Sequence, residues 1–149
     1  MKCLEVECAV ARYFNPRVNL PIPNVSWAFL HYEADLLILT KAGYLYEVEI
    51  KVSRADLKKD LLKIHGHNYH KISRLYFAIP AALLEHKNLI PSYAGILVCY
   101  EDGICLEERA AEKRNGYKLN EKEITQLYRL GALKIWNVKN KLLKLSLKD

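Results

Sequence analysis

Two acids and a lysine stand out by their spacing. Asp35 lies in the run Glu33-Ala34-Asp35-Leu36-Leu37, and Glu49 and Lys51 lie in Glu47-Val48-Glu49-Ile50-Lys51-Val52. Both runs have the alternation of β-strands. Lys41-Ala42-Gly43 joins them as a three-residue hairpin loop with glycine in the left-handed position. If Thr40 pairs with Tyr44, Asp35 falls opposite Glu49, Leu37 opposite Glu47 and Glu33 opposite Lys51. Side chains alternate faces along a strand, so Glu33, Asp35, Glu47, Glu49 and Lys51 share one face. Ala34, Leu36, Ile38, Tyr46, Val48, Ile50 and Val52 form the expected core face. Carboxylates opposed at ~5 Å repel. A fold accommodates them when a proton or a divalent cation lies between them. The plainer account is an acid pair neutralised by Lys51 or Arg54, with Lys51 also able to pair with Glu33.

The flanking elements decide what else reaches this point. Residues 3–14 read as an amphipathic helix with the stripe Leu4, Val10, Ala11 and Phe14, and Glu7 lies within that stripe. Glu5 lies on another face and is the alternative acid. Residues 17–30 carry Pro21 and Pro23 and read as an edge strand. Ser53-Arg54-Ala55-Asp56 starts a helix expected to run to about Ile64, with Gly66 as its stop. On it Lys59 and Lys63 are four apart on one face, and His67 would extend the row. A strand over 74–79 ended by Pro80, a short helix over 81–88, a strand over 95–100 and a helix over 120–131 closed by Gly131 follow. Residues 134–147 read equally as helix or short strands.

Composition narrows the class. The 149 residues are 51% hydrophobic and 27% charged, which fits one globular domain and excludes a disordered chain. No apolar run approaches the ~20 residues of a membrane span. The start Met1-Lys2-Cys3-Leu4-Glu5-Val6-Glu7 carries acids where a signal peptide is apolar, so a cytoplasmic protein with no membrane partner is expected. Cys3, Cys8, Cys99 and Cys105 lack metal-site spacing and are expected to be small buried hydrophobes. His65, His67 and His70 match no standard metal spacing, and Trp27 and Trp136 are expected to pack in the core or at its rim. The net charge is +6, and residues 109–149 hold 11 basic against 4 acidic side chains. Such a surface suits a polyanionic partner, or is simply a solvated face.

An Asp followed on the next strand by Glu-x-Lys, and then by a basic helix, resembles the PD-(D/E)xK nuclease superfamily. The stretches Pro23-Asn24-Val25-Ser26-Trp27, Glu33-Ala34-Asp35-Leu36-Leu37, Glu47-Val48-Glu49-Ile50-Lys51-Val52-Ser53-Arg54-Ala55-Asp56-Leu57 and Leu75-Tyr76-Phe77-Ala78-Ile79-Pro80 are similar to the MmcB-like DNA repair proteins. Ala34 stands where the superfamily motif has its proline. The resemblance implies an α/β restriction-endonuclease-like core, a central mixed sheet flanked by helices in the order αβββαβ. It implies a single domain over 1–149 with a basic extension at about 109–149.

The resemblance also implies that Asp35 and Glu49 bind Mg²⁺ or Mn²⁺, with the Ile50 carbonyl as a third oxygen. Lys51 would orient the attacking water or stabilise the phosphorus centre, and Glu7 would be a further acid from the first helix. Arg54, Lys59, Lys63 and His67 would contact DNA. The expected activity is hydrolysis of DNA phosphodiester bonds in repair or in phage or mobile-element DNA processing. A catalytically inactive DNA-binding module and an interaction or assembly subunit are the alternatives. Many relatives of this fold act as dimers, so the segment bearing Lys134, Lys139, Lys141 and Lys144 is expected to be part of the DNA path or a homodimer interface.

Overall fold

The computed structural model describes residues 1–26, 30, 32–63 and 70–148. Helix α1 (Cys3–Tyr13) leads into strands β1 (Leu20–Val25), β2 (Ala34–Leu39) and β3 (Leu45–Ile50). Helix α2 (Arg54–Asp60), strand β4 (Ile72–Pro80), a 3-10 segment over Ala81–Leu89, strands β5 (Gly95–Cys99) and β6 (Cys105–Arg109) and helix α3 (Glu121–Ser146) follow. The strands form one sheet in the order β1-β2-β3-β4-β5-β6. The β3–β4 and β4–β5 pairs are parallel and the other three antiparallel. This is a mixed sheet flanked by helices, and its leading αβββαβ order is that of a restriction-endonuclease-like core. Among the described residues, no helix is long and apolar enough to cross a membrane.

The hairpin forms in the expected register. The Thr40 N–H donates to the Tyr44 carbonyl at 2.8 Å, and Gly43 adopts φ +92°, a conformation that glycine takes without Cβ strain. Leu36 then lies opposite Val48, Leu37 opposite Glu47 and Ile38 opposite Tyr46. Strand β1 lies at the edge of the sheet beside β2, which leaves room for Pro21 and Pro23.

Both faces of the hairpin are covered, which the alternation alone did not indicate. Leu36, Ile38, Val48 and Ile50 pack with Val6, Ala9 and Val10 of α1. Leu37, Leu39 and Leu45 pack on the other face with Leu127 of α3, together with Ala34 rather than with the expected core set. A central strand flanked by a parallel neighbour is normally buried on both sides, so the second layer follows from β4 pairing with β3.

Several expectations are corrected. The buried stripe of α1 is Val6, Ala9 and Val10 with Phe14 behind it, and Leu4 is 67% exposed. Cys3 and Cys8 are exposed, whereas Cys99 and Cys105 are buried. Helix α2 ends at Asp60, short of Ile64. Gly66, His65, His67 and Trp27 lie outside the described residues. Strand β6 was not foreseen, because only Cys105 of its five residues is buried and Glu107, Glu108 and Arg109 give a charged edge. Gly131 does not close α3, which runs on unbroken to Ser146, and Trp136 on it is 61% exposed.

Candidate active site

The β2–β3 ladder ends with the Leu36–Val48 rung. One step beyond, the side chain of Asp35 takes over the role of the strand. Its Oδ2 accepts the backbone N–H of Ile50 at 2.8 Å. Continued by one step, the same register sets Asp35 opposite Glu49. Burial pushes the Asp35 carboxyl above its ordinary range, and the Glu49 charge pushes it further. The Ile50 N–H and the Lys51 and Lys63 ammonium groups oppose that shift without cancelling it. The two acids therefore repel as expected across the hairpin.

Glu49 is held in a ring of alternating charge. Its Oε2 lies 2.8 Å from Lys51 Nζ and 3.0 Å from Lys63 Nζ. Oδ1 of Asp60 lies 3.0 Å from each of the same two ammonium groups. Glu49, Lys51 and Asp60 are buried, and Lys63 is the partly exposed member. Burial alone would lower the Lys51 pKa, yet Glu49 and Asp60 outweigh it and hold the ammonium charged above its ordinary range. Two carboxylates and two ammonium groups leave the ring neutral, which is how a fold keeps four ionised groups out of water.

Asp60 was missed by sequence reasoning. The available signal was its position three residues after Leu57, on the buried side of a short helix. Because α2 stops at Asp60, Lys59 and Lys63 do not share a helix face: Lys59 is exposed, while Lys63 turns back into the ring. Arg54 is also exposed, at the start of α2. Ser53 caps that helix by accepting the Asp56 N–H at 3.1 Å. Lys51 pairs with Glu49 and Asp60 rather than with Glu33, which is exposed.

Helix α1 brings Glu7 to the same end of the sheet. Glu7 is half-buried, and burial first and the Asp35 charge second raise its pKa. Although Cys3, one turn earlier, is exposed as a residue, partial burial of its thiol and the charges of Asp35 and Glu7 raise its pKa. Glu5 instead accepts the backbone N–H of Lys2 at the helix start. Glu47 is fully buried and accepts the Tyr32 hydroxyl at 2.5 Å. Burial and the Glu47 charge push the Tyr32 hydroxyl up, so Tyr32 stays a donor.

The donor chemistry suits a hard divalent ion. Asp35, Glu49 and the Ile50 carbonyl offer oxygen atoms, the ligands Mg²⁺ and Mn²⁺ take. Among the described residues, no group of three or more His, Cys, Asp and Glu side chains is gathered to enclose an ion. Two lysines also lie on Glu49 Oε2. The residues therefore fit an ion that keeps most of its waters, not a closed structural site.

No family model and no curated protein matches this chain. Its fold is similar to that of the SPO1766 protein of unknown function from Silicibacter pomeroyi, with a TM-score of 0.70. That match has 18% identity and covers 98% of this chain and 94% of the other. It establishes a shared architecture, including the sheet that carries Asp35 and Glu49.

Proposed function

We propose that the protein is a divalent-metal-dependent DNA nuclease that hydrolyses phosphodiester bonds at the Asp35–Glu49 end of the sheet. The observation that carries this reading is the meeting of Asp35 and Glu49 across the hairpin with Lys51 beside Glu49 at 2.8 Å. Asp35 and Glu49 would hold Mg²⁺ or Mn²⁺ together with the Ile50 carbonyl. The ion would supply a water of lowered pKa and neutralise charge on the phosphate.

The remaining roles belong to the chain itself. Lys51, kept protonated by Glu49 and Asp60, presents a fixed positive charge to the phosphate oxygens as negative charge builds there. Lys63 reaches the same point from the solvent side and can exchange Glu49 for a phosphate oxygen. Glu7 stands next to Asp35 as a further acid. Arg54 and Lys59, exposed on α2, would contact the DNA backbone. The expected setting is DNA repair or the processing of phage or mobile-element DNA, inside the cytoplasm.

A second reading has a specific basis. Two ammonium groups on Glu49 already neutralise it, so the same ring would serve a DNA-binding module that does not cut. Incubating labelled plasmid and branched DNA with Mg²⁺, Mn²⁺ or EDTA separates the two. Metal-dependent cleavage lost in Asp35→Ala supports the nuclease. Salt-sensitive binding without cleavage by either protein supports the binding module, and no DNA binding at all leaves an interaction subunit.

A further inference from the structure

Among the described residues, the last half of α3 has no counterpart to pack on. Its first half lays Ile124, Leu127 and Leu130 against the β1–β2 side of the sheet. Every residue from 135 to 148 is exposed. The apolar stripe nevertheless continues in phase: Gly131, Val138, Leu142 and Leu145 follow Ile124 and Leu127 at intervals of three, four and seven. A helix of about 12 residues without tertiary support is marginal in water. The stripe of the second half therefore calls for an apolar cover of its own.

A groove of about 680 Å³ runs beside this helix, between Leu20, Pro21 and Pro23 of β1 and Tyr128, Ile135 and Val138 of α3. Pro21 and Pro23 lack backbone N–H groups, so the groove cannot extend the sheet by another strand; it suits a helix. The overhang of α3 has the matching apolar stripe, but it forms the groove's own wall and cannot fill it from within the same chain.

We propose that two copies of this chain pair through antiparallel α3 helices, the overhang of each lying in the β1–α3 groove of the other. This covers each overhang's stripe with the apolar wall of the other copy's groove, Leu20, Pro21 and Pro23 among it. Charge selects the direction. Lys134, Lys139, Lys141, Lys144 and Lys148 meet no acid between 124 and 148, whereas the exposed Glu121 opens the helix, Glu123 beside it being buried on Lys71. Parallel helices would stack the lysines, and antiparallel ones carry them toward the other copy's acidic first turn. DNA would leave the apolar stripe uncovered, and a lipid surface would have to accommodate Lys139 between the Val138 and Leu142 row and the Trp136 and Leu143 row. The pairing stands apart from the nuclease reading.

Sedimentation of the full chain tests it. The native protein should be a dimer at micromolar concentration, and Val138→Glu/Leu142→Glu should be a monomer that keeps the core's cooperative melt while losing helix signal. A native monomer at ~100 μM overturns the proposal, as does a Val138→Glu/Leu142→Glu protein that remains a dimer. Direction is read from spin labels in a Cys3→Ser/Cys8→Ser background. Labels at position 132 should lie within roughly 20 Å of each other across the dimer, and labels at position 146 about 40 Å or more apart, from a rise of 1.5 Å per residue. Close approach at position 146 overturns the antiparallel arrangement.

Discussion

The carboxylate of Asp35 accepts the backbone N–H of Ile50 at 2.8 Å, which ties the acid of β2 to the strand end that carries Glu49 and Lys51. This single bond sets the geometry of the site. It holds Asp35 close to Glu49 although burial and the Glu49 charge both work against its ionised form. A partly buried, repelled acid is costly to the fold, and such groups concentrate where function needs them.

Removing that charge should therefore stabilise the ion-free protein while abolishing the proposed cleavage. Asp35→Asn retains an acceptor for the Ile50 N–H and deletes the repulsion with Glu49 and Glu7. It should melt a few degrees above wild type in EDTA at neutral pH, for a gain of about 1 kcal/mol. Calorimetry checks the first half and the DNA assay the second. A lower melting temperature would contradict the account of the site as a strained acid pair.

Asp60 should matter as much to the fold as to the site. Asp60→Ala leaves Lys51 and Lys63 with Glu49 as their only described ion-pair partner and removes the acid that closes the ring. Loss of one partner from a buried charge network costs about 3 kcal/mol. Urea unfolding should show a reduced midpoint with an unchanged slope. Lys63→Met should cost less, since Lys63 is partly exposed.

Tyr32→Phe removes the hydroxyl that donates to Glu47 at 2.5 Å. Glu47 stays fully buried and loses that donor. The expected loss is about 1–3 kcal/mol. Double substitution with Glu47→Gln should recover part of it, because the remaining amide is neutral. Additive losses in that cycle would mean that the pair is not coupled.

Glu123 supplies a pH dependence away from the site. Burial opposes its ionised form, but Lys71, the Asn120 N–H and the Tyr117 hydroxyl outweigh burial and hold its carboxyl below the usual range. The unfolded chain thus binds the proton more readily, and stability rises with pH through this window. The contribution is complete above the ordinary carboxylate range and is lost as pH falls through the lowered folded value. Glu123→Gln should lower stability at pH 7 and flatten the acid limb of a melting-temperature profile. An unchanged acid limb would remove Glu123 as its source.

The hairpin and its register were legible in the sequence because they depend on short-range facts. Gly43 supplies the positive φ, the alternation assigns faces, and the pairing of Thr40 with Tyr44 follows. The same logic set Asp35 against Glu49 and made Ser53 a cap. It failed where neighbours distant in sequence decide. Leu4 fits the period of α1 but is exposed, and Val6 and Ala9 are the residues that pack into the core.

Residue type and spacing by themselves determined the acid pair, the lysine beside it and the α/β order that presents them. Tertiary structure alone decided that Asp60 and Lys63 close a ring on Glu49, that Glu7 rather than Glu5 faces Asp35, and that α3 continues through Gly131. A glycine inside a helix costs only about 1 kcal/mol relative to alanine, so it ends the helix only if the surroundings favour a left-handed turn there. Ion pairs between strand and helix depend on where α2 stops and how it packs. Those are properties of the assembled core, whereas alternation and turn chemistry are already complete within a few residues of chain.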